Sequence, residues 1–332
     1  MTDSQLILRC IDLARNSQYY VAPNPMVGAV LTDKEGKIIS EGWHMRYGGP
    51  HAEVNCLRHI SDGSGCTLYV NLEPCSHFGK TPPCADLIIS KHIRRVVCGM
   101  LDPNPLVAGN GVKKLRDAGI EVLVGVEEKA CRQLNKRFLM LQEHKRPYII
   151  LKWAQTADGF IDMSREAKSG KPLVLSNELT KQIVHKMRAE NMAIMVGTNT
   201  VLQDNPRLWT TRWPGRSPIR VTIDRHNRLP QDARIFDRSK TDYAPLPPYI
   251  VYRDQTDWPY IVEDLGEKGI HSILVEGGAT LLNHILGTGL YDEVHVEVAP
   301  ICIGTGVKGP EYTLPDTYTD CIDGAKIYEV YR

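Results

Sequence analysis

The sequence predicts a two-domain protein of mixed α/β class. At 332 residues the chain is longer than one ordinary hydrophobic core organises. Short apolar runs of strand character alternate with segments of helical period along both halves, which is the signature of layered α/β architecture. A hydrophobic share of 42% beside 24% charged residues is that of a soluble globular chain.

The elements follow in order. Leu6, Cys10, Leu13 and Ala14 fall at helical spacing behind Ser4, the expected N-cap. Strands are expected at 27–31 and 37–40 around a turn at 33–36. A helix over 51–60, a buried strand at 67–72, a helix over 84–91 and a strand at 94–98 come next. A helix over 112–118, a strand at 120–124 and one helix over 127–142, charged on one side, close the first unit. The boundary is expected within Glu143-His144-Lys145-Arg146-Pro147, giving domains 1–145 and 146–332. The second begins with a strand at 148–151, and Ser176 is expected to cap a helix reaching residue 191. Strands at 193–196 and 219–223 precede a surface loop over 238–248, which holds three prolines. A strand at 272–276, a tight turn at Gly277-Gly278 and a helix over 279–286 lead to closing strands at 293–298 and 326–331. No internal repeat or low-complexity tract interrupts the series.

Charge and cysteine content narrow the function classes. Lysine plus arginine number 40 against 39 acidic residues, so no net field draws in nucleic acid or an anionic membrane. The start, Met1-Thr2-Asp3-Ser4, lacks a basic segment followed by an apolar one, and no apolar run approaches the ~18 residues that cross a bilayer. A cytosolic protein without membrane or nucleic-acid partners is expected. In that compartment clustered cysteines, among the nine present, bind metal or react more often than they form bridges.

One cluster carries chemistry. His51-Ala52-Glu53 opens a predicted helix, Glu73-Pro74-Cys75 follows a buried strand, and Cys84 opens the next helix. An imidazole and two thiolates leave a fourth tetrahedral position free, as in a catalytic rather than a structural zinc site. Zinc lowers the pKa of bound water toward ~7. Glu53 is placed to carry a proton from that water to a departing amine without binding metal. Helix N-termini favour the thiolate forms of Cys75 and Cys84. A lone His-x-Glu or Pro-Cys pair is common by chance; in this order, on strand-to-helix junctions, the four residues define a hydrolytic deaminase site.

These residues resemble the cytidine-deaminase superfamily, with one departure: eight residues rather than two separate the cysteines. The string Pro74-Cys75-Ser76-His77-Phe78-Gly79-Lys80-Thr81-Pro82-Pro83-Cys84 resembles one branch, the bifunctional deaminase/reductases of riboflavin biosynthesis. Asn24-Pro25-Met26-Val27-Gly28, Pro50-His51-Ala52-Glu53-Val54 and Asp102-Pro103-Asn104-Pro105 match as well. The resemblance implies a cytidine-deaminase-like α/β/α domain, then a dihydrofolate-reductase-like α/β domain. It implies Asn24, His44, His77 and Lys80 as substrate contacts of the deaminase. From the residues alone, Lys80, between two metal ligands in sequence, suits a phosphorylated substrate more than it reads as a solvated loop lysine, whereas His44 is nearly as well read as an ordinary surface histidine.

In the second unit the resemblance rests on residues 152–159, Ser176, Arg188-Ala189, 197–206, Thr222-Ile223-Asp224 and 276–281. Ile273-Leu274-Val275-Glu276-Gly277-Gly278 reads as a strand running into glycines at a helix start, where backbone amides can meet a phosphate; such glycines also end strands with no ligand nearby. The lack of a Gly-x-Gly-x-x-Gly disfavours a Rossmann site. The resemblance implies NADPH held by Ala154, Thr200, Asp204, Arg225, Gly278, Ala279, Thr280, Leu281 and Leu282, and substrate held by Arg188, Leu208, Arg212 and Glu276. Relatives often carry serine and tryptophan where Lys171 and Leu173 stand, and Trp209 lengthens the segment between Leu208 and Arg212. No acid or base in this unit stands out as a proton donor.

The implied activity is zinc-dependent deamination of 2,5-diamino-6-(5-phosphoribosylamino)pyrimidin-4(3H)-one, one zinc per deaminase domain. NADPH-dependent reduction of the ribosyl chain to 5-amino-6-(5-phosphoribitylamino)uracil follows. A homo-oligomer, a dimer through the reductase domain, is implied as well. The competing readings are a deaminase of bases in RNA or DNA, disfavoured by the balanced charge, and a non-catalytic zinc scaffold.

Overall fold

The computed structural model describes residues 1–76, 82–104, 108–164 and 172–332. The chain folds as two compact units, Met1–His144 and Lys145–Arg332.

In the first unit, α1 (Asp3–Arg15) starts from Thr2, whose hydroxyl accepts from the Gln5 amide while the Gln5 side chain accepts from Thr2 N at 2.9 Å. That reciprocal cap needs a Gln or Glu three residues on. Ser4, the expected cap, has Ile7 at that position; it lies inside the helix and donates its hydroxyl to Glu127. The strands β1 (Gly28–Thr32), β2 (Ile38–Trp43), β3 (Thr67–Val70), β4 (Arg95–Cys98) and β5 (Glu121–Val124) form one sheet in the order β2-β1-β3-β4-β5. β1 pairs antiparallel with β2 and β3, whereas β3, β4 and β5 run parallel. α1 packs on β1 and β3 and touches α5 (Glu128–Leu134); α2 (Ala52–Leu57), α3 (Cys84–Ser90) and α4 (Asn110–Asp117) form a second run of contacts, α2 against β1 and β2. Cys10, Cys56, Cys98 and Cys131 are buried in this core as small apolar groups, and all nine cysteines are free.

The single helix expected over 127–142 is two helices, α5 and α6 (Lys136–His144). Glu127 sits at φ 55, outside helical space, and Asn135 breaks the ladder at φ −103. The Asn135 amide is occupied elsewhere: its Oδ1 accepts from Met26 N at 2.8 Å and its Nδ2 donates to Met26 O at 3.0 Å.

The second unit contains β6 (Tyr148–Thr156), β7 (Phe160–Asp162), α7 (Glu178–Glu190), β8 (Ala193–Val196), α8 (Thr198–Asp204), β9 (Ile219–Ile223) and β10 (Tyr249–Tyr252). It continues with α9 (Trp258–Glu267), β11 (Ser272–Val275), α10 (Ala279–Thr288), β12 (Glu293–Ala299), β13 (Val307–Lys308), β14 (Asp320–Ile322) and β15 (Ala325–Tyr331). Eight strands form one sheet, β10-β9-β8-β11-β6-β12-β15-β14. The first six run parallel, β15 pairs antiparallel with β12, and β14 antiparallel with β15; β13 and β7 pair separately. Asn177, not Ser176, caps α7: its side chain accepts from Thr180 N at 2.8 Å. Ser176 is engaged instead with Glu297, donating to its Oε2 at 2.6 Å. Gly277 and Gly278 make no tight turn. Gly278 is extended (φ −67, ψ 163) at the N-cap of α10, and Gly277 is glycine for space, since a Cβ there would lie 2.9 Å from Leu281 Cδ2. No helix among the described residues is long and apolar enough to cross a membrane.

In the first unit, Arg95 on β4 grips Asp3 at the start of α1 with two bonds, Nη1–Oδ1 at 3.0 Å and Nη2–Oδ2 at 2.9 Å. Tyr69 donates to the same carboxylate at 3.0 Å. The Arg95 bonds hold the Asp3 pKa below its usual value against the opposing effect of burial. A depressed acid contributes stability that is fully present above its unfolded pKa, ~3.9, and is lost as pH falls through the lower folded value. Asp3→Asn is therefore expected to cost about 1 kcal/mol at pH 7, a gap that closes on acidification. Urea unfolding followed by hydrogen exchange of α1 amides checks this; equal stability at pH 7 contradicts it.

Candidate active sites

Three side chains far apart in sequence meet in the first unit. His51 is the N-cap of α2, Cys75 follows β3, and Cys84 is the first residue of α3. The ligand atoms of His51, Cys75 and Cys84 all lie within 4.8 Å of one another. His51 Nδ1 stands 3.6 Å from Cys75 Sγ and 3.3 Å from Cys84 Sγ. A borderline-soft nitrogen with two sulfurs, at helix starts, is a donor set that fits zinc. Cys75 is not itself on a helix. The first amide of α3, Cys84 N, donates to Cys75 Sγ at 3.3 Å, so one helix N-terminus serves both sulfurs. The Cys75 thiol is pulled down to about 4 by the Cys84 thiol and by His51 against its burial, while Cys84 is raised by that same bond and by burial. The pair thus carries negative charge beside an imidazole whose pKa is raised, first by Cys75.

Glu53, in the first turn of α2, is buried at 3% exposure and lies outside the three-ligand set. Burial pushes its carboxyl up to about 7, which suits a group that picks up and releases a proton near neutrality. Asn24 Nδ2 is 3.1 Å from His44 Nε2, and His44 Nδ1 is 2.9 Å from Pro50 O. The His44 and His51 rings meet edge-on at 5.5 Å. His44 is buried rather than a surface histidine, and its pKa is lowered, chiefly by that burial. The sequence pattern had no signal for what holds Asn24 in place. Buried Asn71 and Asn135 both donate to Met26 O, and Asn71 Oδ1 accepts from Gly28 N at 2.8 Å. His77 and Lys80 lie outside the described residues.

Two cavities in the second unit share Asn199, Thr200, Gly278 and Thr280. Both open at the C-terminal ends of parallel strands, where α/β sheets bind ligands. The larger, about 620 Å³, is lined among others by Ala154, Asp204, Arg188, Arg212, Glu276 and Ala279. The other, about 460 Å³, is lined by Arg225, His226, Arg228, His284 and Leu281. The lining of this second cavity holds no carboxylate, so it suits an anion. Asp224, fully buried, fixes the Arg225 loop by accepting from Arg228 N at 2.8 Å and Leu229 N at 3.2 Å. Arg225 itself donates to Thr256.

Arg188 and Glu276 are bound to each other, Nε–Oε1 at 3.1 Å and Nη2–Oε2 at 2.6 Å. Burial alone would raise Glu276, but Arg188 carries it below its ordinary value. Arg212 lines the larger cavity and pairs with Glu178. Leu208 and Leu282 are buried and lie outside both linings, Leu208 with φ 58. Leu173 lines the larger cavity, whereas Lys171 lies outside the described residues. Lys152, His185 and Ser176 line this cavity too, though the sequence pattern marked none of them as a ligand contact. Glu297, 3% exposed, holds the Ser176 hydroxyl through one oxygen; among the described residues its other oxygen has no partner.

Comparison with known proteins accords with these two sites. Residues 1–100 match the cytidine and deoxycytidylate deaminase zinc-binding region, and residues 147–315 match the RibD C-terminal domain. The riboflavin biosynthesis protein RibD of Aquifex aeolicus (strain VF5) is 38% identical over 92% of this chain and 89% of its own. That of Escherichia coli (strain K12) is 37% identical over 93% and 90%. The structure of Acinetobacter baumannii RibD, form 1, superposes with a TM-score of 0.88 at 32% identity, covering 99% of this chain and 98% of the other. A Thermotoga maritima structure, described as a diaminohydroxyphosphoribosylaminopyrimidine deaminase/5-amino-6-(5-phosphoribosylamino)uracil reductase, superposes with a TM-score of 0.86 at 36% identity over the same shares, 99% and 98%. The chain belongs to the RibD family, the bifunctional deaminase/reductases of riboflavin biosynthesis, with zinc the cofactor of its first domain and NADPH that of its second.

Proposed function

We propose that the first domain, residues 1–145, deaminates the diaminohydroxyphosphoribosylaminopyrimidine and that the second, 146–332, reduces the ribosyl chain of the product. The observation that carries the reading is the convergence of His51, Cys75 and Cys84 beside a buried Glu53. His51 Nδ1 and the two Sγ atoms hold the metal. When bound, zinc supplies the Lewis acidity that makes water a nucleophile at neutral pH. Glu53 accepts a proton on its carboxylate and returns it to the departing amine nitrogen; its burial keeps that proton from bulk solvent. Asn24 and His44, coupled through their side chains, orient the ring, and His77 and Lys80, between the two sulfur ligands in sequence, take the substrate phosphate.

In the reductase, Ala154, Thr200, Asp204 and the 278–282 segment hold the cofactor, and Arg225 takes its phosphate end. When bound, NADPH supplies the hydride. Arg188, Arg212, Glu276 and Leu208 position the phosphorylated sugar. The Arg188–Glu276 pair supports this, because each fixes the other's orientation at the cavity wall. The balanced charge favours a small substrate over a nucleic acid, and nine free cysteines suit the reducing cytoplasm. Pairing of two copies through the reductase domain rests on the family resemblance, and sedimentation checks it.

Glu53→Gln is expected to lower ammonia release about 10³-fold with zinc content and reductase activity unchanged. Ammonia release at the wild-type rate by the zinc-loaded variant contradicts the assignment. Asn135→Ala frees the Met26 segment and is expected to raise the deaminase KM about tenfold with little change in kcat or zinc content; steady-state kinetics decide. Arg225→Ala is expected to raise the KM for NADPH about tenfold and leave kcat within a factor of about two. An unchanged KM removes Arg225 from the cofactor site.

A further inference from the structure

We infer that Glu73 is a positioning residue for the metal ligand Cys75, clamping the ligand's backbone to α4 and to the segment after β4. The inference rests on the reading of His51, Cys75 and Cys84 as zinc ligands. Glu73 stands two residues before Cys75 and is 6% exposed. Among the described residues its carboxylate receives three backbone N–H groups: Asp102 at 3.0 Å and Gly109 at 2.9 Å on Oε2, and Val112 at 3.1 Å on Oε1. Its own amide donates to Met100 O at 2.9 Å. Gly109, the N-cap of α4, offers no side-chain cap. Glu73 therefore caps that helix from a remote position and takes up the buried amide of Val112.

The joint is tight on its other side as well. Gly111, in the first turn of α4, packs on the carbonyl of Pro74; a Cβ there would fall 2.1 Å from Pro74 O. Cys75 is then gripped by α3: its carbonyl accepts from Ala85 N at 3.1 Å and its sulfur from Cys84 N at 3.3 Å. α3 in turn is tied to α4 by Lys114 and Asp86 at 2.5 Å. Cys84 is thus placed by α3 itself, and Cys75 by Glu73 on one side and α3 on the other. Groups that orient metal ligands from behind typically change metal affinity or activity 10–100-fold when removed.

An amide in place of this carboxylate keeps the shape but turns one acceptor into a donor aimed at other donors. The test uses the full-length zinc-loaded protein and the rate of zinc release to a chromogenic chelator. Glu73→Gln is expected to release zinc at least about tenfold faster, with deaminase kcat lowered and reductase kcat unchanged. Gly111→Ala, which keeps the carboxylate and loads the Pro74 carbonyl, is expected to accelerate release too; it decides the matter alone if Glu73→Gln does not fold. Asp3→Asn weakens the same domain away from the site and is expected to release zinc at the wild-type rate. Release from folded Glu73→Gln at the wild-type rate, or equally fast release from Asp3→Asn, overturns the inference. Wild-type protein that binds no stoichiometric zinc overturns the ligand reading itself, whatever the variants do.

Discussion

The first domain is organised around an electrostatic constraint. An imidazole, two thiols and a carboxyl are packed together, Cys84 and Glu53 buried and His51 and Cys75 half-buried, and buried ionisable groups persist only when paired or metal-bound. A cation resolves the conflict on the sulfur side, and proton uptake resolves it at Glu53. The arrangement depends on where the chain ends its strands and begins its helices. His51 and Cys84 stand at helix starts, and the first amide of α3 also reaches the Cys75 sulfur, so free amides and the helix dipole favour negative charge on both sulfurs. The parallel pairing of β3, β4 and β5 brings the Cys75 turn and the start of α4 to one edge of the sheet. Glu73 and Gly111 join them there.

The second domain solves a different problem with the same architecture. Its ligands are anionic and large, so its sites are cavities at strand ends rather than a compact cluster. Close packing of Gly277 against the Leu281 side chain and the Arg188–Glu276 pair shape the wall. Cationic side chains gather where the second cavity opens. A net charge of +1 conceals this concentration, because acidic residues elsewhere in the chain cancel it in the sum.

Much of this was legible in the sequence, for identifiable reasons. His51, Glu53, Cys75 and Cys84 could be read because metal chemistry demands particular residue types. Strands such as β3, β8, β9 and β11 could be read because buried strands are apolar runs, whereas β7, β10, β13 and β14, partly exposed or very short, were not expected. What failed was local capping and everything decided by distant contacts. Thr2 outcompetes Ser4 because Gln5 can reciprocate, and Asn177 outcompetes Ser176 because Glu297 already holds the serine. The helix broken at Asn135 looked continuous, since nothing near it announces that Met26, more than a hundred residues earlier, uses its side chain. Glu73 stood inside a quoted motif, yet its role depends on three amides supplied from beyond residue 100.

The central claim is that one chain holds a deaminase and a reductase acting in series on one phosphorylated pyrimidine. The most direct measurement incubates the purified protein with the diaminohydroxyphosphoribosylaminopyrimidine and NADPH, following ammonia and NADPH oxidation separately. The account predicts ammonia first, then NADPH oxidised in equal amount, with ammonia release undiminished when NADPH is omitted. NADPH oxidation that precedes ammonia, or ammonia with no oxidation at all, contradicts it.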